Sequence, residues 1–184
     1  MKKFPLFFIT IYLISLNNSH ASEMFDKLQD EQKSVSTEVF TSRCYKPGII
    51  RHIILMRYSP EITEAQRQAT IQRFMSLKET ELRNGKPYIV DIEYGEQNSG
   101  EGADHNYEYA FIVTFKSEGD RNYYVGYPIV SDRKYTSYSV EKFKEFAKSF
   151  INESQFLVFD YKVQTTEITK CDDPETLSPQ HNIN

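Results

Sequence analysis

Pro47 to Tyr58 reads PGIIRHIILMRY, and the way this stretch folds decides the rest of the chain. Side chains alternate along a strand with period two. Ile50, His52, Ile54, Met56 and Tyr58 therefore share one face, and Arg51, Ile53, Leu55 and Arg57 the other. Both faces have apolar centres, so the strand calls for cover on both sides. It also holds the one histidine of the sequence that stands inside a predicted element.

Outward from this strand, Ser59-Pro60 closes it, and Thr63 with Gln66 forms a capping-box signature. Ala65, Ala69, Phe74 and Leu77 recur at helical spacing, predicting a helix from Glu64 to about Arg83 that ends at Asn84-Gly85. Tyr88 to Gly95 alternates as a second strand, Gln97 to Asn106 is a polar turn, and Tyr107 to Phe115 is a third strand. In the third strand Tyr109, Phe111, Val113 and Phe115 oppose Ala110 and Ile112, again without a fully polar face. Ser117 caps a short helix to Tyr124, Val140 to Phe150 reads as a second main helix, and Phe156 to Val163 is the last strand. The order strand, helix, strand, strand, helix, strand is that of a ferredoxin-like split βαβ unit, an α+β fold. Its four-stranded antiparallel sheet carries helices on one face only. A second copy packed sheet to sheet about a twofold axis would cover the other and make a dimeric α/β barrel.

At 184 residues the chain suits one domain with a substantial core. Met1 to Ala21 has the parts of a secretory signal: Lys2 and Lys3, the apolar Phe4 to Leu16, and Ser19-His20-Ala21 as cleavage site. The apolar run is too short to cross about 30 Å of hydrocarbon, so no stable membrane anchor is expected after cleavage. Residues 22–46 form a polar leader containing Cys44, with Met24, Phe25 and Leu28 as its apolar anchors and no part in the core. Residues 164–184 form a polar tail, expected to be disordered, containing Cys171. The short Lys-Lys start points to a bacterial chain exported to the periplasm or beyond, an oxidising setting. The first and last strands of such a sheet lie antiparallel side by side, which brings Cys44 and Cys171 to one edge. A disulfide within the chain is expected there; a bridge between chains or two free thiols are the rivals. Twenty-two basic residues against 26 acidic ones, with no basic patch, give no nucleic-acid footprint.

Arg51 to Tyr58, Glu61 to Gln66, Tyr109 to Phe115 and the closing Leu157-Val158-Phe159-Asp160-Tyr161 resemble the stress-responsive A/B barrel (Dabb) domain over about residues 49–163, within a 47–163 domain. The resemblance implies a homodimeric barrel with helices outside. Family members carry a Tyr followed by His-Pro-x-His after the third strand, and in a polyketide-cyclising member the Tyr and the last His are catalytic. Here the segment keeps Tyr124 and Pro128, while Tyr127 and Val130 stand at the histidine positions. A valine takes no proton, so that general base is missing.

His52 is then the remaining ordered histidine, either an acid or base beside Tyr124 or an imidazole bonded within the fold. Asp160 is either a catalytic carboxylate, a partner of Arg51 or Arg57, or an acid pointing to solvent at a sheet edge. No cofactor is implied, and a lone histidine without clustered ligands implies no metal. The predicted pocket lining is His52, Ile54, Met56, Tyr109, Phe111, Tyr124 and Tyr127. The expected function is an exported dimeric barrel that binds a small apolar or aromatic ligand or serves as a stable dimeric module. The alternatives are a cofactor-independent cyclase, lyase or monooxygenase using His52 and Tyr124, and a secreted interaction protein acting through Asp132 to Ser139 and its termini.

Overall fold

The computed structural model describes residues 20–151, 155–164 and 171. The expected signal therefore lies outside the described residues except for His20 and Ala21, and so does the tail except for Gln164 and Cys171.

The main sheet contains β1 (Pro47–Met56), β4 (Ile89–Glu96), β5 (Tyr109–Ser117) and β6 (Phe156–Lys162), in the order β4-β5-β1-β6 with every pair antiparallel. This is the ferredoxin-like arrangement expected from the order of elements. Register fixes the two faces. His52 lies opposite Val113 and Asp160, and Ile53 opposite Ile112 and Phe159. Tyr109, Phe111, Val113 and Phe115 thus join Ile50, His52 and Met56 on the helix side, where all are buried.

Three helices close that side: α3 (Glu64–Met75), α5 (Glu118–Val125) and α6 (Tyr138–Ala147). The Thr63–Gln66 capping box is present at the start of α3, and the Ser117 hydroxyl accepts from Asp120 N at 2.9 Å to start α5. Phe74 of α3 meets Phe111 and Phe143 of α6 edge to face, with ring centres 4.8 and 5.1 Å apart. Such pairs favour one packing arrangement beyond the area they bury.

The sequence predicts one helix as far as Arg83, whereas the chain breaks into α3, the single turn α4 (Leu77–Thr80) and a small hairpin of β2 (Leu82–Arg83) and β3 (Lys86–Pro87). Asn84 and Gly85 both have positive φ, 52° and 72°, the conformation that two-residue hairpin turns require. Turn chemistry therefore overrides helical periodicity at this point.

The leader also departs from expectation. It forms α1 (His20–Val35) and the single turn α2 (Thr37–Phe40), and Phe40 is only 1% exposed. Asn122 Nδ2 donates to Phe40 O at 2.8 Å, and the Arg43 guanidinium donates to the carbonyls of Arg83, Lys86 and Pro87. Gly119 completes the seat: a Cβ there would lie 1.8 Å from Ser42 O. Residues 40–46 are thus part of the folded body. Sequence periodicity misses them because one aromatic and a run of backbone bonds hold them.

Cys44 and Cys171 form the disulfide expected within the chain, with Cα atoms 5.4 Å apart. On the sheet's far face, Leu157 and Phe159 of β6 are 41% and 59% exposed, and Ile53, Leu55 and Ile112 are half-buried beside them.

Candidate functional site

His52 and Asp160 are cross-strand partners on the helix side of β1 and β6. Their side chains meet: His52 Nδ1 is 2.6 Å from Asp160 Oδ1. The second carboxylate oxygen accepts from Arg121 Nη1. Arg121 stands one turn before Tyr124 on α5, and residues three apart on a helix lie on the same side. The Tyr124 ring accordingly meets His52 edge to face at 5.6 Å and packs on Phe115 at 5.1 Å. The aspartate therefore pairs with Arg121 and His52 rather than with Arg51 or Arg57. Arg51 points the other way and donates to Thr114 Oγ1, and Arg57 donates to His105 O at 3.3 Å.

Burial by itself would raise the Asp160 pKa. The bonds and charges of His52 and Arg121 outweigh it and hold the carboxyl below its ordinary range. With an ionised carboxylate at Nδ1, that nitrogen is the donor of the bond. Burial, with Glu81 and Asp160 adding negative charge, pushes the Tyr124 phenol well above its usual value. Tyr124 is a neutral hydroxyl at any ordinary pH. The arrangement can orient an imidazole and present a phenol, and it has the polar parts that hold an edge strand to a helix.

Glu81 is a buried carboxylate that sequence reading passed over. It accepts from Tyr88 OH at 3.0 Å and from Ser137 Oγ, and Ser137 itself caps α6 by accepting from Val140 N. Its only sequence signal was its place just before an Asn-Gly turn, which does not distinguish a buried carboxylate from an exposed one. Ser137 lies in the segment Asp132 to Ser139, and the end of that segment is thereby tied into the body.

Of the predicted lining, His52, Met56, Tyr109, Phe111 and Tyr124 come together, all buried, with Ile54 half-buried beside them. Tyr127 does not join them: it is 76% exposed. Val130 is buried. Beyond Ile54 the helix side opens, because Phe156 and Val158 on β6 are exposed, forming an apolar ledge next to the His52–Asp160 pair. Among the described residues no group of three or more His, Cys, Asp or Glu side chains could hold a metal ion.

Several solved structures align with the chain at low identity. A protein of Arabidopsis thaliana aligns with a TM-score of 0.50 and 18% identity over 65% of this chain and 99% of its own. Hydroxynitrile lyase from Passiflora edulis aligns at 0.49 and 19%, over 66% and 99%. A dimeric ferredoxin-like protein from a Jannaschia species aligns at 0.48 and 15%, over 63% and 100%. No curated protein matches the chain. The model of the Stress responsive A/B Barrel Domain matches residues 50–163, from the middle of β1 to the end of β6. That span is more than half of the chain and contains the sheet apart from the first residues of β1, and on it the chain belongs to the stress-responsive A/B barrel (Dabb) family.

Proposed function

We propose that the protein is exported and works as a homodimeric barrel module, two copies packing far face to far face. The observation that carries this is the uncovered row of Leu157 and Phe159 beside Ile53, Leu55 and Ile112. Burying one such side chain contributes about 1.5–3 kcal/mol. A twofold contact buries each of them twice, so a patch of this kind favours self-association. Export rests on the Met1 to Ala21 signal pattern, and the Cys44–Cys171 disulfide suits an oxidising compartment. Light scattering on the chain from Ser22 tests the dimer. Wild type is expected at twice the chain mass and Phe159→Glu at one chain mass. A wild-type monomer at tens of micromolar, about the concentration at which such modules are assayed, would sink the proposal.

A second reading, binding of a small apolar or aromatic ligand with or without chemistry, is favoured by the Phe156–Val158 ledge beside His52, Asp160 and Tyr124. Ligand-observed NMR with p-cresol checks it. Saturable binding lost in Val158→Asp supports it, and binding unchanged by that substitution counts against it.

A further inference from the structure

Helix α1 (His20–Val35) joins the folded body through a strained hinge and a carboxylate clamp. We propose that α1 is a strap that swings about Ser36, latched against the body by Glu31 and opened when the Glu31 carboxylate is neutralised.

The hinge is Ser36, between α1 and α2, at φ 74° and ψ 154°. Residues with a side chain rarely adopt this conformation and keep it only where their surroundings impose it. Beyond it the chain is fixed, because Phe40, Arg43 and the close approach of Gly119 seat residues 40–46 on α5 and the small hairpin. Turning Ser36 out of its conformation relieves the backbone and carries α1 away from the body. The domain shared with the family begins at residue 50, so α1 can move without opening the sheet.

Little apolar surface resists such a swing. Met24 and Phe25 are 52% and 37% exposed, and Leu28 and Val35 are half-buried. Asp30 pairs with Lys33 within α1, and Gln32 reaches only across the hinge to Thr37. The polar hold on the body centres on Glu31, whose Oε1 accepts from both Tyr45 OH and Lys46 Nζ just before β1.

A carboxylate makes this hold reversible. Burial by itself would raise the Glu31 pKa, and the bonds from Lys46 and Tyr45, with the charges of Lys46 and Lys27, outweigh it and hold the carboxyl below its ordinary range. The contribution of the clamp is therefore present above the ordinary carboxylate pKa of about 4.3 and is lost as pH falls through the lower docked value. The groups facing Glu31 are Lys27 on its own helix, Tyr45 and Lys46 before β1, and Glu118 at the start of α5. Glu118 lies 3.8 Å from Lys46 Nζ, so the lysine keeps a counter-charge when Glu31 lets go. Opening strands no ion.

Backbone 15N relaxation of the chain from Ser22 reads the strap directly. At pH 7 the wild-type order parameters of residues 23–35 are expected at about 0.85, like those of the sheet, and in Glu31→Gln at the same pH below about 0.6, with the sheet unchanged. Wild type is expected to loosen in the same way as pH falls below about 4, ahead of the sheet. Asp30→Asn, which removes a charge from the 80% exposed side chain next to Glu31, is expected to leave α1 as rigid as in wild type. The proposal is overturned if α1 stays rigid in Glu31→Gln, if it is already loose in wild type at pH 7, or if Asp30→Asn loosens it as much. Loosening in acid only together with the sheet also overturns it.

Discussion

His52 and Asp160 are 108 residues apart in sequence, yet their side chains meet at 2.6 Å on the helix side of the sheet, with Arg121 on the other carboxylate oxygen. This trio ties the edge strand β6 to its neighbour β1 and to α5. Its geometry gives the histidine of β1 a carboxylate partner from the neighbouring strand.

Removing the shared acceptor leaves two donors unmet. Asp160→Ala is expected to lower stability by about 2–4 kcal/mol, because the Arg121 side chain remains buried without its counter-charge. Urea unfolding of the variant checks this, and a loss below about 0.5 kcal/mol would mean that the trio is slack.

The Asp160 carboxyl titrates lower in the folded chain than in the unfolded one. Its contribution is therefore present above the ordinary carboxylate pKa of about 4 and is lost as pH falls through the lower folded value. Acid unfolding of wild type is expected to be steeper below about pH 4 than that of Asp160→Asn. Parallel curves would count against the pairing.

At the alkaline end the sign reverses. Burial pushes the Tyr58 phenol up to about 12. The stability that comes from keeping it neutral is fully present below about pH 10 and is lost as pH rises toward 12. Phenolate absorbance during a pH titration is expected to show a late-ionising tyrosine that is missing in Tyr58→Phe.

Gly119 approaches the leader so closely that no side chain fits. Its Cβ would lie 1.8 Å from Ser42 O, and Gly119 N also donates to Tyr45 O. Gly119→Ala must move backbone, so a loss of about 2–3 kcal/mol is expected in thermal or urea unfolding. A neutral substitution would show that the leader is not seated on α5.

The disulfide spans 127 residues of sequence. In the chain-entropy model a loop of that length contributes about 5 kcal/mol by restricting the unfolded chain. Cys44→Ser with Cys171→Ser is expected to lose up to that amount in unfolding experiments, with the sheet intact by circular dichroism.

Much of this molecule was legible in the residues. Period-two alternation in β1 and β5, the Thr63–Gln66 capping box and Ser117 as a cap are local signals, and each marks the element found there. The family resemblance rested on the His-bearing strand and the closing Phe159-Asp160-Tyr161. Local signals misled where two of them competed, as at Asn84-Gly85, where turn conformation took residues that periodicity assigned to a helix.

The sequence by itself determined the order of the four sheet strands and the main helices and the faces of each strand, and it brought the two cysteines to one edge, because all three follow from short-range pattern and strand direction. Only the tertiary structure decided that Asp160 turns to His52 and Arg121, that Phe40 enters the core, and that Tyr127 stays out in solvent. The physical reason is range. A hydrogen bond between residues 108 positions apart depends on how strands and helices pack, and no local pattern records which of several arginines a carboxylate will reach.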